Sequence, residues 1–193
     1  LQVTIDDMAH HTAAVARSKP TAVIVGDMPW MTYHLTPRRT VENAAKLIRA
    51  GAHSVKLEGG AKRARMVEAI VAAEIPVMGH IGLTPQSVNA LGGFRVQGKT
   101  PRDAVHLIAD AKALAEAAKG CEIIVSDRQT PGPAEFFPLA PDCCAFLRVA
   151  VDIRNIDVDA ASAQGILVTR ATPGFMASVS EMAIGMMIDC GRK

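Results

Sequence analysis

His53-Ser54-Val55-Lys56-Leu57-Glu58-Gly59-Gly60 is the stretch that decides the fold. An apolar run picks up a lysine and a carboxylate two residues apart, then stops on two glycines. In a strand, residues i and i+2 point to one face, so Lys56 and Glu58 share it. Charge at the end of a buried strand is costly unless it is paired, hydrated or bound to a metal. In α/β proteins the carboxyl ends of parallel strands are also where ligands bind. Two further apolar runs end on a polar residue in the same way. Val23-Ile24-Val25-Gly26 runs into Asp27, and Pro76-Val77-Met78-Gly79 runs into His80.

Working outward, the segments between these runs read as helices. Leu1 to Ser18 has Thr4 as an N-cap and Asp6 and Asp7 in the first turn, with Met8, His11, Thr12 and Val15 on one face. Lys19-Pro20 ends it, and Ala22 to Gly26 is expected as a buried strand. Thr36-Pro37 opens a helix whose inner face is expected to be Val41, Ala44, Ala45 and Ile48, closed by Gly51. Strands are expected at His53–Leu57 and Pro76–Gly79, with a helix over Ala61–Ala73 between them. Thr84-Pro85 starts a short helix. Pro101–Ala118 is a long alanine-rich helix, with Val105, Ile108, Ala109 and Leu114 expected inward. Strand and helix alternating at this spacing mean βα units and a parallel sheet.

The composition shifts near Gly120. Up to Lys119 there are 15 Lys and Arg against 10 Asp and Glu; from Gly120 onward there are 6 against 9. All four cysteines lie beyond this point, and three of them crowd with Pro131, Pro133, Pro138 and Pro141 into the next twenty-five residues. Strands are expected at Cys121–Ser126, Ala145–Val151 and Ile166–Thr169. Arg128–Pro141 reads as a proline-rich loop, Asp157–Ala163 as a short helix, and Ala177–Asp189 as an apolar, methionine-rich helix. The division is therefore drawn at 1–119 and 120–193.

With 49% hydrophobic residues the chain can bury a sizeable core. A net charge of +2 gives no argument for nucleic acid or a membrane surface, and neither is expected as a partner. No apolar run approaches the roughly 18 residues of a spanning helix. The cysteines show no C-x-x-C spacing and are expected to be reduced, in a cytoplasmic protein. The chain begins at Leu1 without an initiator methionine, which suggests a fragment or a trimmed product.

Five stretches in register carry a resemblance: His11-Thr-Ala-Ala-Val15, Gly26-Asp-Met-Pro29, Val55-Lys-Leu-Glu-Gly-Gly60, Gly79-His-Ile-Gly-Leu-Thr-Pro-Gln-Ser87 and Gly92-Gly-Phe-Arg-Val-Gln-Gly98. Residues 3–118 closely resemble ketopantoate (3-methyl-2-oxobutanoate) hydroxymethyltransferase. The resemblance implies a TIM barrel, of which about half is present. It implies transfer of a hydroxymethyl group from methylenetetrahydrofolate to 3-methyl-2-oxobutanoate in pantothenate biosynthesis, with Mg²⁺ or another divalent metal. Asp27 and Glu58 are the metal-ligand candidates, Asp27 and Lys56 the substrate-binding candidates, and His80 a neighbour without an assigned role. The chemistry is coherent. A 2-oxoacid chelates a hard cation, magnesium takes one or two protein carboxylates, and a Lewis acid acidifies the carbon beside the ketone. Lys56 would neutralise the substrate carboxylate or enolate oxygen. Plainer readings stand beside these: Asp27 as a cap, Lys56 and Glu58 as a strand-end ion pair, His80 as a satisfied core histidine. The family's Gly-Asp-Ser strand, which completes the metal site, and its catalytic glutamate before a Gly-Ile-Gly-Ala-Gly turn are not found in these 193 residues. Impaired turnover is expected.

Residues 121–193 resemble a second family, the D-isomer-specific 2-hydroxyacid dehydrogenases. The match runs through Phe146-Leu-Arg-Val-Ala-Val-Asp-Ile-Arg-Asn-Ile-Asp157, Ala160-Ala161, Gly165-Ile-Leu-Val168, Pro173-Gly174 and Ser178-Val-Ser-Glu181. It implies part of a flavodoxin-like substrate domain. No G-x-G-x-x-G follows a strand, so no NAD is expected to bind; Arg148 and Arg154 are not candidates for the missing catalytic groups. The fold class expected is thus α/β, a partial TIM barrel joined to a partial flavodoxin-like segment. Three functions remain open: an impaired hydroxymethyltransferase acting on a small 2-oxoacid, a fragment of an NAD-dependent dehydrogenase, and a non-catalytic fusion or chimeric scaffold. Self-association or aggregation is expected from the apolar last helix.

Overall fold

The structure, a computed structural model, describes residues 2–94, 97–98, 100–117, 120 and 122–192. Leu1 and Ala118 at the ends of two expected helices, Arg95 and Val96 in the Gly92–Gly98 stretch, and Cys121 at the start of an expected strand lie outside the described residues. The chain forms two compact units, Leu1–Gly120 and Cys121–Lys193.

In the first unit the order is α1 (Ile5–Arg17), β1 (Val25–Asp27), α2 (Pro37–Arg49), β2 (Ser54–Glu58), α3 (Ala64–Ala72), β3 (Val77–His80) and α4 (Pro101–Ala117). Short 3-10 turns at Ala61–Arg63 and Pro85–Ser87 follow β2 and β3. The strands form one parallel sheet in the order β1-β2-β3. Local chemistry sets the helix starts. Thr4 and Asp7 cap α1 reciprocally, each side chain taking the other's backbone N–H. Thr36 caps α2 through the Arg39 N–H, with Pro37 at the first helical position. Val55 and Leu57 of β2 are fully buried against Leu47, Val67 and Ile70 in the core. Their neighbours Lys56 and Glu58 therefore face the other side of the sheet.

Three expectations are corrected here. Strand β1 starts at Val25, not Ala22, because pairing with β2 begins at Val25 opposite Ser54, and Val23 is exposed. The inner face of α2 is wider than the expected Val41, Ala44, Ala45 and Ile48: Ala44 is buried and Val41 and Ile48 pack against the core, but Thr40, Asn43 and Leu47 are the other buried residues. Asn43 and Thr40 can be buried because the Asn43 amide donates to the Thr32 carbonyl at 2.7 Å and the Thr40 hydroxyl to the Thr36 carbonyl at 2.8 Å. Leu47 then packs over Gly26, where a Cβ would lie 3.0 Å from it. In α4, Leu114 faces inward over Gly79, but Val105, Ile108 and Ala109 are exposed. The helix is turned by a polar tie, the Asp110 carboxylate accepting the Ala61 N–H at 2.8 Å against a Gly60 that has no room for a side chain.

In the second unit the order is β4 (Ile123–Ser126), β5 (Ala145–Arg148), α5 (Val158–Ala163), β6 (Leu167–Arg170) and α6 (Met176–Gly191). Its strands make a separate parallel sheet in the order β4-β5-β6. Phe137, Phe146, Ile156 and Ile166 are among its core, with Phe136, Phe137 and Phe146 packed edge to face. Asp157 caps α5 through the Ala160 N–H. Strand β5 ends at Arg148 rather than Val151. The Arg148 side chain is buried there, and its Nη2 donates to the Thr130 carbonyl at 2.9 Å and to Asn155 Oδ1 at 2.6 Å. No residue of α6 is buried. Among the described residues, no helix is long and apolar enough to cross a membrane.

Candidate active site

The register of the first sheet assembles the site. Asp27 pairs with Lys56, and Glu58 with His80, so the four polar strand ends stand side by side at the carboxyl edge. Lys56 Nζ donates to Asp27 Oδ2 and to Glu58 Oε1, both at 3.0 Å. Burial differs across the group: the Glu58 side chain is 2% exposed, Lys56 18% and Asp27 47%. His80 Nδ1 comes within 3.4 Å of Glu58 Oε1 without a hydrogen bond between them. Two buried polar atoms here have no partner, Asp27 Oδ1 and His80 Nδ1. Orphaned buried atoms are rare enough in folded proteins to call for an explanation, and an absent ligand, ion or water is one.

Behind these residues stands a layer that the sequence did not reveal. The backbone N–H of Gln86 donates to Glu58 Oε2 at 2.8 Å, and its side-chain amide donates to the Met28 carbonyl at 2.9 Å. The Tyr33 hydroxyl donates to Gln86 Oε1 at 2.8 Å and accepts the Glu58 N–H at 3.3 Å. Burial of Tyr33, reinforced by the nearby charges of Glu58 and Asp27 and only partly offset by the hydrogen bond from the Glu58 N–H, pushes its phenol up to about 12. It is therefore a neutral hydrogen-bonding group at any ordinary pH. Gln86 sits inside the Gly79–Ser87 stretch, so the motif flagged its segment but not its role. Tyr33 lies in no motif.

The donor set is oxygen-rich and hard, which suits Mg²⁺ or Mn²⁺ better than a soft metal. Asp27 Oδ1 is an acceptor with nothing to accept, and Glu58 Oε1 is shared with the Lys56 ammonium. Two carboxylates with one orphaned oxygen fit a weakly held divalent cation. Among the described residues no cluster of three or more His, Cys, Asp and Glu side chains is poised for a metal. Shallow concavities lie elsewhere in the first unit, one beside α1 at Met8, Thr12 and Val15, another at Trp30, Arg39 and Asn43; neither is lined by the four strand-end residues.

The class follows from the fold. The chain is a mixed α/β protein with parallel sheets, and solved structures of the phosphoenolpyruvate mutase/isocitrate lyase kind are similar in fold. Phosphonopyruvate hydrolase matches with a TM-score of 0.53 at 13% identity, over 99% of this chain and 68% of that one. 2,3-Dimethylmalate lyase, a member of that superfamily, matches with a TM-score of 0.52 at 14% identity, over 96% and 66%. The ketopantoate hydroxymethyltransferase family profile matches residues 1–131, and the chain belongs to that family. A 3-methyl-2-oxobutanoate hydroxymethyltransferase from Ignicoccus hospitalis is 60% identical over 116 residues, covering 60% of this chain and 44% of the relative. One from Clostridium botulinum strain Langeland is 59% identical over 118 residues, 61% of this chain and 43% of the relative. The chain thus spans less than half the length of these relatives. A second profile, the catalytic domain of D-isomer-specific 2-hydroxyacid dehydrogenases, matches residues 95–184.

Proposed function

We propose that the first unit carries the substrate-binding half of a 2-oxoacid hydroxymethyltransferase site. In this reading it acts on 3-methyl-2-oxobutanoate, with methylenetetrahydrofolate as the one-carbon donor and pantothenate biosynthesis as the setting. The observation that carries it is the Lys56 ammonium held 3.0 Å from both Asp27 and Glu58 at a parallel-strand edge, in a chain of this family. An ammonium has three N–H donors. Two are spent on the carboxylates, which leaves the third for a carboxylate or enolate oxygen of the substrate. Asp27 and Glu58 would hold a divalent cation, Mg²⁺ by preference, which when bound would supply Lewis acidity at the keto oxygen. Asp27 would also touch the substrate. His80, with a ring nitrogen 3.4 Å from the same carboxylate, would stand beside the substrate. By resemblance the catalytic base is a glutamate that these 193 residues do not include, so the isolated chain is an impaired catalyst.

On architecture, β1-β2-β3 with their helices would be an arc of a TIM barrel over residues 1–119. Residues 120–193 would be part of a flavodoxin-like substrate domain. The second profile match favours the latter, and with it the reading of the chain as a fusion or chimera. No nicotinamide cofactor would bind. The protein would work in the cytoplasm and would self-associate.

The test is exchange of the C3 proton of 3-methyl-2-oxobutanoate, followed by NMR in D₂O with Mg²⁺. Slow exchange that depends on metal and is lost in Lys56→Met and Glu58→Ala is expected, with no ketopantoate formed when methylenetetrahydrofolate is added. Exchange identical in the wild type and both variants would remove the site.

A further inference from the structure

Gln86 touches the Glu58 carboxylate and the backbone beside Asp27. Its backbone N–H holds Glu58 Oε2, which leaves Oε1 turned toward Lys56 and His80. Its Nε2 holds the carbonyl of Met28, the residue directly after Asp27. Its Oε1 accepts from Tyr33, whose oxygen in turn holds the N–H of Glu58. The turn after β3 is in this way tied to the ends of both β1 and β2. Tyr33 and Met28 are sealed from solvent, so no water stands ready to replace a lost bond.

We propose that Gln86 and Tyr33 are positioning residues that fix the spacing of the Asp27 and Glu58 carboxylates, and thereby restrict the site to a small divalent cation, Mg²⁺ or Mn²⁺ over Ca²⁺. This rests on the reading of Asp27 and Glu58 as cation ligands. Mg²⁺ demands short, near-ideal octahedral geometry, whereas Ca²⁺ accepts longer and more variable bonds, so rigidity of the ligand frame is what separates them. A carboxylate with one oxygen pinned by a backbone N–H cannot swing to widen the site. A peptide carbonyl held next to Asp27 fixes the backbone from which the second carboxylate extends. Partners that orient metal ligands typically carry about a 10- to 100-fold effect on affinity. If the two residues merely supported the fold, their loss would weaken both ions alike.

The experiment measures Mn²⁺ binding to the full 193-residue chain by electron paramagnetic resonance, with Mg²⁺ and Ca²⁺ as competitors. Gln86→Met keeps the volume and the backbone N–H but removes both side-chain bonds. Tyr33→Phe removes a single oxygen and serves if the first variant does not fold. In the wild type Mg²⁺ should compete better than Ca²⁺. Each variant should narrow that ratio by about tenfold, and the double variant should narrow it no further than one of them, because the two act through one frame. An unchanged Mg²⁺-to-Ca²⁺ ratio in folded variants overturns the proposal while leaving the cation site standing. Absence of Mn²⁺ binding in the wild type, or binding untouched by Glu58→Ala, overturns the cation site and the proposal with it.

Discussion

Lys56 and Glu58, two residues apart on one strand, meet at 3.0 Å with the glutamate side chain almost wholly withdrawn from water. Breaking a buried pair from one side leaves a charge without compensation, which typically costs about 3–5 kcal/mol. Lys56→Met keeps most of the stem and removes the charge, and urea denaturation at neutral pH should show a loss of about that size. The Lys56→Met, Glu58→Gln double variant should recover a substantial part of it. If Lys56→Met were as stable as the wild type, the pair would contribute nothing and Glu58 would be compensated from elsewhere.

The strand-end charges were legible in the sequence because a two-residue spacing on a strand leaves only one geometry. Asp27, Lys56, Glu58 and His80 needed no more than strand period and parallel register to stand together. The Tyr33–Gln86 tie joins residues 53 apart and has no periodic signature, so no local pattern could announce it. The polar part of the α2 face and most of the α4 face have no apolar signal for a related reason. Apolar periodicity assumes that apolar side chains choose the inner face. Here Asn43, Thr40 and Asp110 help choose it, through hydrogen bonds to segments far along or just outside the helix. The expected Ala145–Val151 strand puts Arg148 in its interior, but no local pattern shows that the side chain is buried and bound to Thr130 and Asn155.

Tyr33 gives a stability signature at high pH. It is the single tyrosine of the chain, so its phenolate absorbance can be followed directly. Its folded value is pushed up to about 12, chiefly by burial, from an ordinary value of 10.0. Between these two values the unfolded chain has lost the proton and the folded chain retains it. The unfolded state then binds fewer protons, so stability must fall as pH rises through this window, by at most about 1.4 kcal/mol per pH unit. Below the unfolded value the two states are protonated alike and the effect vanishes. Tyr33→Phe should abolish this slope. A titration of the folded protein centred at 10 would show that the hydroxyl is open to water.

Gly60 and Asp110 should behave as a coupled pair. A Cβ at Gly60 would run into the Asp110 side chain, which itself holds the Ala61 N–H at 2.8 Å. Gly60→Ala should therefore destabilise by overpacking, about 1–3 kcal/mol. Asp110→Ala loses a hydrogen bond to a charged acceptor, worth about 1.5–3 kcal/mol. In the double variant the collision is gone, so the combined loss should be clearly smaller than the two single losses added. Strict additivity in thermal or urea denaturation would mean that α4 does not pack on Gly60 in solution.

The last prediction concerns α6. Met182, Ile184, Met186, Met187 and Ile188 are all more than half exposed, Met187 at 74%, and no residue of the helix is buried. These positions surround much of the helix, and a helix apolar on all sides needs burial on several of them. Large contiguous apolar surface on a soluble protein marks a contact or an aggregation liability. The chain should therefore self-associate in a concentration-dependent way, seen as a rising mass by light scattering. Met182 and Met186 are one turn apart and share a face. Placing lysine at both should lower the association if that face is part of the contact, and should leave the fold of the first unit intact because its core is built from other residues. A monodisperse monomer at high concentration would show that α6 is covered by the chain itself in solution.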